Sequence, residues 1–460
     1  MGRPSFIHSL RRSVVAVCVL AALGGPSTQA APHPTGVPPL SSRAGAAYTL
    51  FLDFAGFDFT GSWGGQLTPG STPAYNLADS DPNTFSAAEL ANMRVVWTRV
   101  AEKYSALDIN VTTIDPADAL DRPTDAARQQ FYDSRPRLMH TVIGGDGSWN
   151  GGGGVSYVNK AQFAYTTSGF NDDAGYGWHT NFMFAALAPT RLQFISDATA
   201  HELGHGLGLN HQGDHFTAAN GTAYNNEYSR NGGFTGTATF SPVMGNSYSV
   251  QRGLWRVGRS TTAAVQNDMR VLIANSGIGP FVNDGIGHAL ADATPLPVAD
   301  NAVIAGLAAG VIVPTGRRPP TPLGEANYTS DYFAFATDGG ALTLTLNDGA
   351  QRLTPGVADP GATLAGTLTI LDAEGAAVGV GVQADDTLSC TFNGTLPVGT
   401  YYARVSSNGG FTSTFDESAT YYSMGSYFLS GSGVTAVPEP ALVAVITIGC
   451  AFLARRRPAR

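Results

Sequence analysis

The chain has 460 residues, enough for more than one domain, and a formal net charge of −9 from 26 Lys and Arg against 35 Asp and Glu. Charged residues make up only 13% while Gly reaches 56, a balance that favours β-rich exported material over a helical cytosolic enzyme. The acidic excess argues against nucleic acid as a partner, and no glycine-rich stretch carries the Lys-Ser/Thr of a phosphate loop.

Residues 1–30 read as a secretory signal, with Arg3, Arg11 and Arg12, an apolar run from Val14 to Leu23, and Thr28-Gln29-Ala30 as a small-residue cleavage site. Residues 31–45, punctuated by Pro, Gly and Ser, are expected to be a disordered linker. Cys18 and Cys450 fall in terminal segments, so only Cys390 remains in the body and no disulfide can form there. An exported chain without disulfides points to a bacterial source.

Tyr48 to Phe54 fits a first core strand. Ser86 and Glu89 form a capping-box pattern ahead of Leu90, Met93, Val96, Trp97 and Val100, which predicts a helix ending near Tyr104. Ile109 to Ile114 is the next strand, and the β-α-β order predicts a right-handed parallel crossover. Leu138 to Ile143 gives a third strand, residues 144–154 a glycine-rich loop, and Gly154 to Val158 a fourth strand. Asp172 and Asp173 form a calcium candidate beside the plainer reading of solvated carboxylates; His179 is read as structural.

Arg191 to Leu207 predicts a helix with Phe194, Ile195, Ala198, Leu203 and Leu207 on its core face. On it, His201 and His205 are four apart and point two imidazoles at one place. His211 joins them only if the helix stops, and Gly208 sits where a left-handed residue would end it. Three neutral imidazoles around one Zn²⁺ leave a fourth position for water, and Glu202 stands beside that position as a carboxylate that need not ligate. The water's proton then goes to Glu202 as general base and on to the leaving group.

The stretch from His201 to His211 resembles the zinc signature of metzincin metalloproteases, and its Gly-Leu-Asn-His resembles the adamalysin-like (reprolysin) branch. That branch usually has Asp directly after the third His, where this chain has Gln212. The resemblance implies an α+β catalytic domain over residues 46–276, a mixed twisted sheet with the zinc helix, acting as a zinc metalloendopeptidase on protein or peptide. It implies a methionine turn beneath the metal at Met244, a soft apolar floor. It also implies that Val155, Ser156, Tyr157 and Val158 form an edge strand that pairs with substrate backbone, beside the alternative of an ordinary sheet strand. Tyr248 follows Met244 by four residues rather than the two of related branches, so an oxyanion contact stands against a plain packed tyrosine. Residues 31–45 contain neither Cys nor Asp, so the latch of latent metzincins has no thiol or carboxylate candidate and only His33 as a ligand.

Thr261 to Ala274 suggests a helix closing this domain, and Gly277 to Asn283 a linker. From residue 284 to 432 short strands alternate with Gly, Asp and Pro turns, which indicates an all-β sandwich. Ala293-Thr294-Pro295-Leu296, Asp331-Tyr332-Phe333 and Gly399 to Val405 resemble the bacterial pre-peptidase C-terminal domain, a companion of secreted peptidases. The tail over 437–460 carries Val437-Pro438-Glu439-Pro440, an apolar run to Ala454 and Arg455-Arg456-Arg457. It resembles the PEP-CTERM sorting signal, which implies a Gram-negative cell envelope, exosortase-type machinery and an exopolysaccharide matrix as surroundings; a plain transmembrane anchor is the alternative. Two rivals to a peptidase stay open: a zinc hydrolase of a non-peptide amide, and a non-enzymatic matrix or adhesion protein with an inert zinc site.

Overall fold

The computed structural model describes residues 34–77, 81–120, 122–163, 177–217, 221–229, 233–235, 238–261, 264–275, 277–314, 328–349, 361–384, 387–412 and 419–437. The expected secretory signal, His33, the Asp172–Asp173 pair and the tail from Pro438 lie outside them. No helix among the described residues is long and apolar enough to cross a membrane.

The first layer is a five-stranded mixed sheet. Strand β1 (Tyr48–Asp53) alternates strictly, sending Tyr48, Leu50 and Leu52 to one buried cluster and Phe51 to another. Helix α1 (Ala87–Tyr104) starts at the expected capping box: Ser86 Oγ accepts from Glu89 N–H while the Glu89 carboxylate accepts from Ser86 N–H at 2.7 Å. Its buried stripe of Met93, Val96, Val100 and Tyr104 seats it on the sheet, and β2 (Ile109–Thr112) returns parallel to β1. Helix α2 (Asp125–Asp133) leads to β3 (Leu138–Ile143), then β4 (Gly154–Val155), β5 (Thr180–Met183) and helix α3 (Leu192–Gly206). The order across the sheet is β2-β1-β3-β5-β4, with β4 alone antiparallel and at the edge. The helices α1 and α3 cover the face whose core includes Leu50, Met139, Ile195 and Leu203.

Four sequence expectations need correction. Residues 34–45 are not a free linker: Ser42 N–H donates to Val111 O at 3.0 Å and Thr113 N–H to Leu40 O at 3.0 Å, which lays the segment along β2. The fourth strand ends at Val155 rather than Val158, because the chain then turns to serve α3. Asn159 N–H donates to His205 O at 2.8 Å, and Lys160 N–H to Gly206 O at 3.0 Å, satisfying carbonyls that a helix end leaves open.

The closing helix over Thr261 to Ala274 is also replaced. After the hairpin of β6 (Asp214–Thr217) and β7 (Ala223–Asn226) come β8 (Arg256–Arg259) and β9 (Val265–Asn267), paired antiparallel. Only a short helical turn, Asp268–Arg270, and a wider one, Val271–Asn275, follow. Asn267 accepts from Arg270 N–H at 2.9 Å and starts the turn late.

Gly277 to Asn283 is not a free linker either. Ile278 is buried with α1 and α3, and Val282 N–H donates to Ala106 O at 3.0 Å. The β-rich part carries the strands β10 (Ser330–Thr337), β11 (Gly340–Asp348), β12 (Gly366–Leu371), β13 (Cys390–Leu396), β14 (Gly399–Ser407) and β16 (Gly425–Ser432). One sheet runs β10-β14-β12 and the other β16-β11-β13, with Phe333, Phe335, Leu344, Leu368 and Val405 buried together. Between β14 and β16, the two-residue strand β15 (Thr420–Tyr421) pairs antiparallel with β8, so a sheet crosses from the first part of the chain into the second. Glu102 on α1 accepts from Ser426 N–H at 2.7 Å on β16, and Tyr422 and Met424 join the core of α1 and α3. The described residues accordingly gather into one compact unit.

Deep in this junction Lys103 Nζ lies 2.8 Å from Asp197 Oδ1 on α3, with both side chains almost fully buried. Removing one partner leaves a buried charge uncompensated. We expect Lys103→Met to cost about 3–5 kcal/mol in denaturant unfolding, and the double change with Asp197→Leu to recover part of it. A loss below about 1 kcal/mol would overturn the role given to this pair.

His179 is buried, its ring nitrogens 2.6 Å from Leu138 O and 2.7 Å from Phe163 O, and its main-chain N–H donates to Asp133. Burial pushes the ring down to about 4 and the Asp133 carboxyl up to about 7. Stability tied to His179 is therefore full above its ordinary value of 6.5 and is lost as pH falls toward 4. That tied to Asp133 runs the other way, full below 3.8 and lost as pH rises toward 7. His179→Asn should remove an acid-side loss of up to about 3 kcal/mol between those His179 limits, read from unfolding curves at each pH. An unchanged pH slope would count against it.

Candidate metal centre

Helix α3, buried from Ile195 to Gly206, carries the first two candidate ligands, His201 and His205. It ends in a Schellman motif. Gly208 N–H donates to His205 O at 2.8 Å and Leu209 N–H to Gly204 O at 2.9 Å. Gly208 carries φ +102, a conformation open to glycine at little cost, and the chain turns back there to bring in His211.

The three histidines converge. Their ligand atoms lie within 4.8 Å of one another, and His205 Nε2 is 3.0 Å from His211 Nε2. Each Nδ1 has its own acceptor: Val243 O for His201 at 2.8 Å, Leu209 O for His205 at 2.7 Å, and the Glu227 carboxylate for His211 at 2.9 Å. A neutral imidazole that donates through Nδ1 presents a lone pair at Nε2. Lone pairs facing each other at that distance repel unless a cation lies among them. Burial pushes His201 well down and His205 down to about 4, the neighbouring imidazoles add to the effect, and His211 is lowered mainly by burial. All three are thus neutral near pH 7, the ligating form. Three imidazole nitrogens with their other nitrogens tied to backbone or carboxylate fit a Zn²⁺ site with an open position.

Glu202 is 5% exposed and lines the same cleft as the three histidines. Burial alone raises its carboxyl to about 8, and a dication held by the imidazoles would act in the opposite direction. A Cβ added to Gly154 would meet Glu202 Oε1 at 2.7 Å, so β4 passes the carboxylate as bare main chain. Gly152 to Ser156 form this wall of the cleft. Of the expected edge strand, Val155 and Ser156 line the cleft. Tyr157 instead packs its ring 4.4 Å from that of Trp63, and Val158 is exposed away from the cleft lining.

Met244 is fully buried beneath α3, where a Cβ on Gly204 would meet its Sδ at 2.6 Å. Its neighbour Val243 supplies the carbonyl that holds His201. Tyr248 lines the cleft with its ring 6.0 Å from His201 and 5.5 Å from Phe194. Gln212 is buried and donates to Asp268 Oδ1 at 2.8 Å, while its own N–H donates to Met244 O at 2.7 Å. It ties the chain after His211 to the methionine-containing turn.

Sequence reasoning missed Glu227 and Tyr228. The Tyr228 ring lies 4.3 Å from that of His211 and forms part of the cleft wall. Both lie between His211 and Met244, in a stretch rich in Gly, Asn and Thr without periodicity, so no signal marked them.

Residues 84–212 match the family model described as Metallo-peptidase family M12B Reprolysin-like, a span that takes in α1, the sheet strands after β1, α3 and all three histidines. No curated protein matches the chain. Among solved structures, the pre-peptidase C-terminal domain of collagenase from Bacillus anthracis is similar at 14% identity over 22% of this chain and 76% of that one. Its TM-score is 0.15. The family match and the histidine triad together support a zinc metallopeptidase domain, followed by a β-rich region.

Because the Glu227 carboxylate is the acceptor for His211, Glu227→Gln should weaken metal affinity by roughly tenfold in competition with a chelating dye. Unaltered affinity would show that His211 is oriented by something else.

Proposed function

We propose that this chain is a zinc-dependent endopeptidase of metzincin type. The observation that carries the reading is the convergence of three imidazoles, each with Nδ1 engaged, beside a buried carboxylate in a cleft edged by bare main chain. Held by His201, His205 and His211, Zn²⁺ would supply Lewis acidity, lowering the pKa of a water and polarising a carbonyl.

Glu202 takes the proton of the attacking water and returns it to the leaving amine. Its place inside the cleft, off the ligand set, is what supports that role. The backbone of Gly154 and Val155, at the open edge of the sheet, accepts an extended peptide as an added strand and sets its carbonyl over the site. Tyr248 and Tyr228 flank the position where negative charge develops, and a phenol there donates a hydrogen bond to it. Export and sorting to a Gram-negative envelope rest on residues 1–30 and 437–460 as sequence.

Glu202→Ala should keep its metal, measured by elemental analysis, and lose peptide cleavage by at least about a hundredfold. Cleavage of a peptide library by the full chain, abolished by a zinc chelator and restored by zinc, tests the reading as a whole. An active Glu202→Ala protein overturns the base, and cleavage that persists without metal overturns the reaction class.

A further inference from the structure

A second cavity of ≈ 410 Å³ adjoins the metal cleft and shares two walls with it, Tyr228 and Tyr248. The rest of its lining is Asn225, Asn226, Glu227 and Asn246, so it holds amides and one carboxylate but no aliphatic side chain. Glu227 gives one oxygen to His211 Nδ1 and is 58% exposed. Asn225 Oδ1 accepts from His215 Nδ1, and the Asn246 main-chain N–H donates to Ser229 O at 2.8 Å. The hairpin β6–β7 carries Asn225 and Asn226, with Phe216 and Tyr224 stacked at 5.1 Å as its own support.

We propose that this cavity is a substrate subsite selective for a basic side chain, lysine or arginine, near the scissile bond. The inference rests on the peptidase reading and adds the substrate class. An aliphatic side chain would be placed against amide groups and a carboxylate, stripping their water without replacing it. An ammonium or guanidinium instead brings three or five donors and one positive charge to a lining that offers carbonyl oxygens, phenols and a carboxylate. The volume suits a long side chain. Because Glu227 also holds His211, a cation in the subsite sits on the same carboxylate that orients a ligand of the metal site.

The test measures binding and cleavage separately. Peptides that carry Arg, Lys, Gln, Leu or Glu in turn at each position near the scissile bond are titrated against the full-length, zinc-loaded Glu202→Gln protein. The Arg and Lys peptides are expected to bind roughly fivefold tighter than Leu at one position, the range for an exposed charge pair. Glu227→Gln in that background, at saturating zinc, should bring the ratio to parity. Asn246→Leu, which leaves the carboxylate in place, should shift it toward Leu. Equal binding, or a preference for Leu or Glu, overturns the subsite. Wild-type protein given the same peptides reports on the peptidase reading: cleavage without a basic preference sinks the subsite alone, and basic-selective binding without cleavage sinks the reaction and leaves the subsite standing.

Discussion

Everything in the cleft depends on where α3 stops. Had the helix run on past Gly206, His211 would have turned away from His205 and only two imidazoles would share a point. Two hydrogen bonds of the Schellman motif and one left-handed glycine end it. The segment from Asn159 to Ala161 then donates to the carbonyls of His205, shared with Gly208 N–H, and of Gly206. The strand that walls the cleft and the cap that ends the helix are one stretch of chain, so the edge of the sheet and the geometry of the ligands are fixed together.

What could be read from the sequence follows from which forces are local. The Ser86–Glu89 capping box, the periodic face of α1, the alternation of Tyr48 to Asp53 and the spacing of the histidines all act over a few residues, and each is found where expected. The misses share a different cause. Residues 34–45 and 277–283 look like linkers because Pro, Gly and Asn signal turns, yet the partners that order them, Val111 and Ala106, lie far away in sequence. Val265 to Asn267 reads as helix by composition and becomes strand because Val257 to Arg259 is there to pair with it. Glu227 could not be foreseen for the same reason: its importance is its distance from a ring sixteen residues earlier.

The two parts of the molecule meet through buried polar contacts as well as apolar ones. Glu102 with Ser426, and the pairing of Arg256 and Val257 with Tyr421 and Thr420, cross the boundary that composition suggested. Asp197, on the helix that carries His201 and His205, is balanced by Lys103 in the same region. The β-rich part therefore shares a core with the metal-site helix, and the two parts should lose order together on unfolding.

The glycines facing Glu202 give the cleft an asymmetry. At Gly153 an added Cβ would press on the Phe194 ring at 3.3 Å, and at Gly154 on Glu202 itself at 2.7 Å. At those two positions a side chain presses on Phe194 or on Glu202 itself, so substitution there cannot tune selectivity without disturbing the site. The opposite wall, built from the hairpin and the turn after Met244, carries ordinary exposed side chains. Diversification of preference in chains of this kind is therefore confined to one bank of the cleft, while the other is held constant by the chemistry it borders.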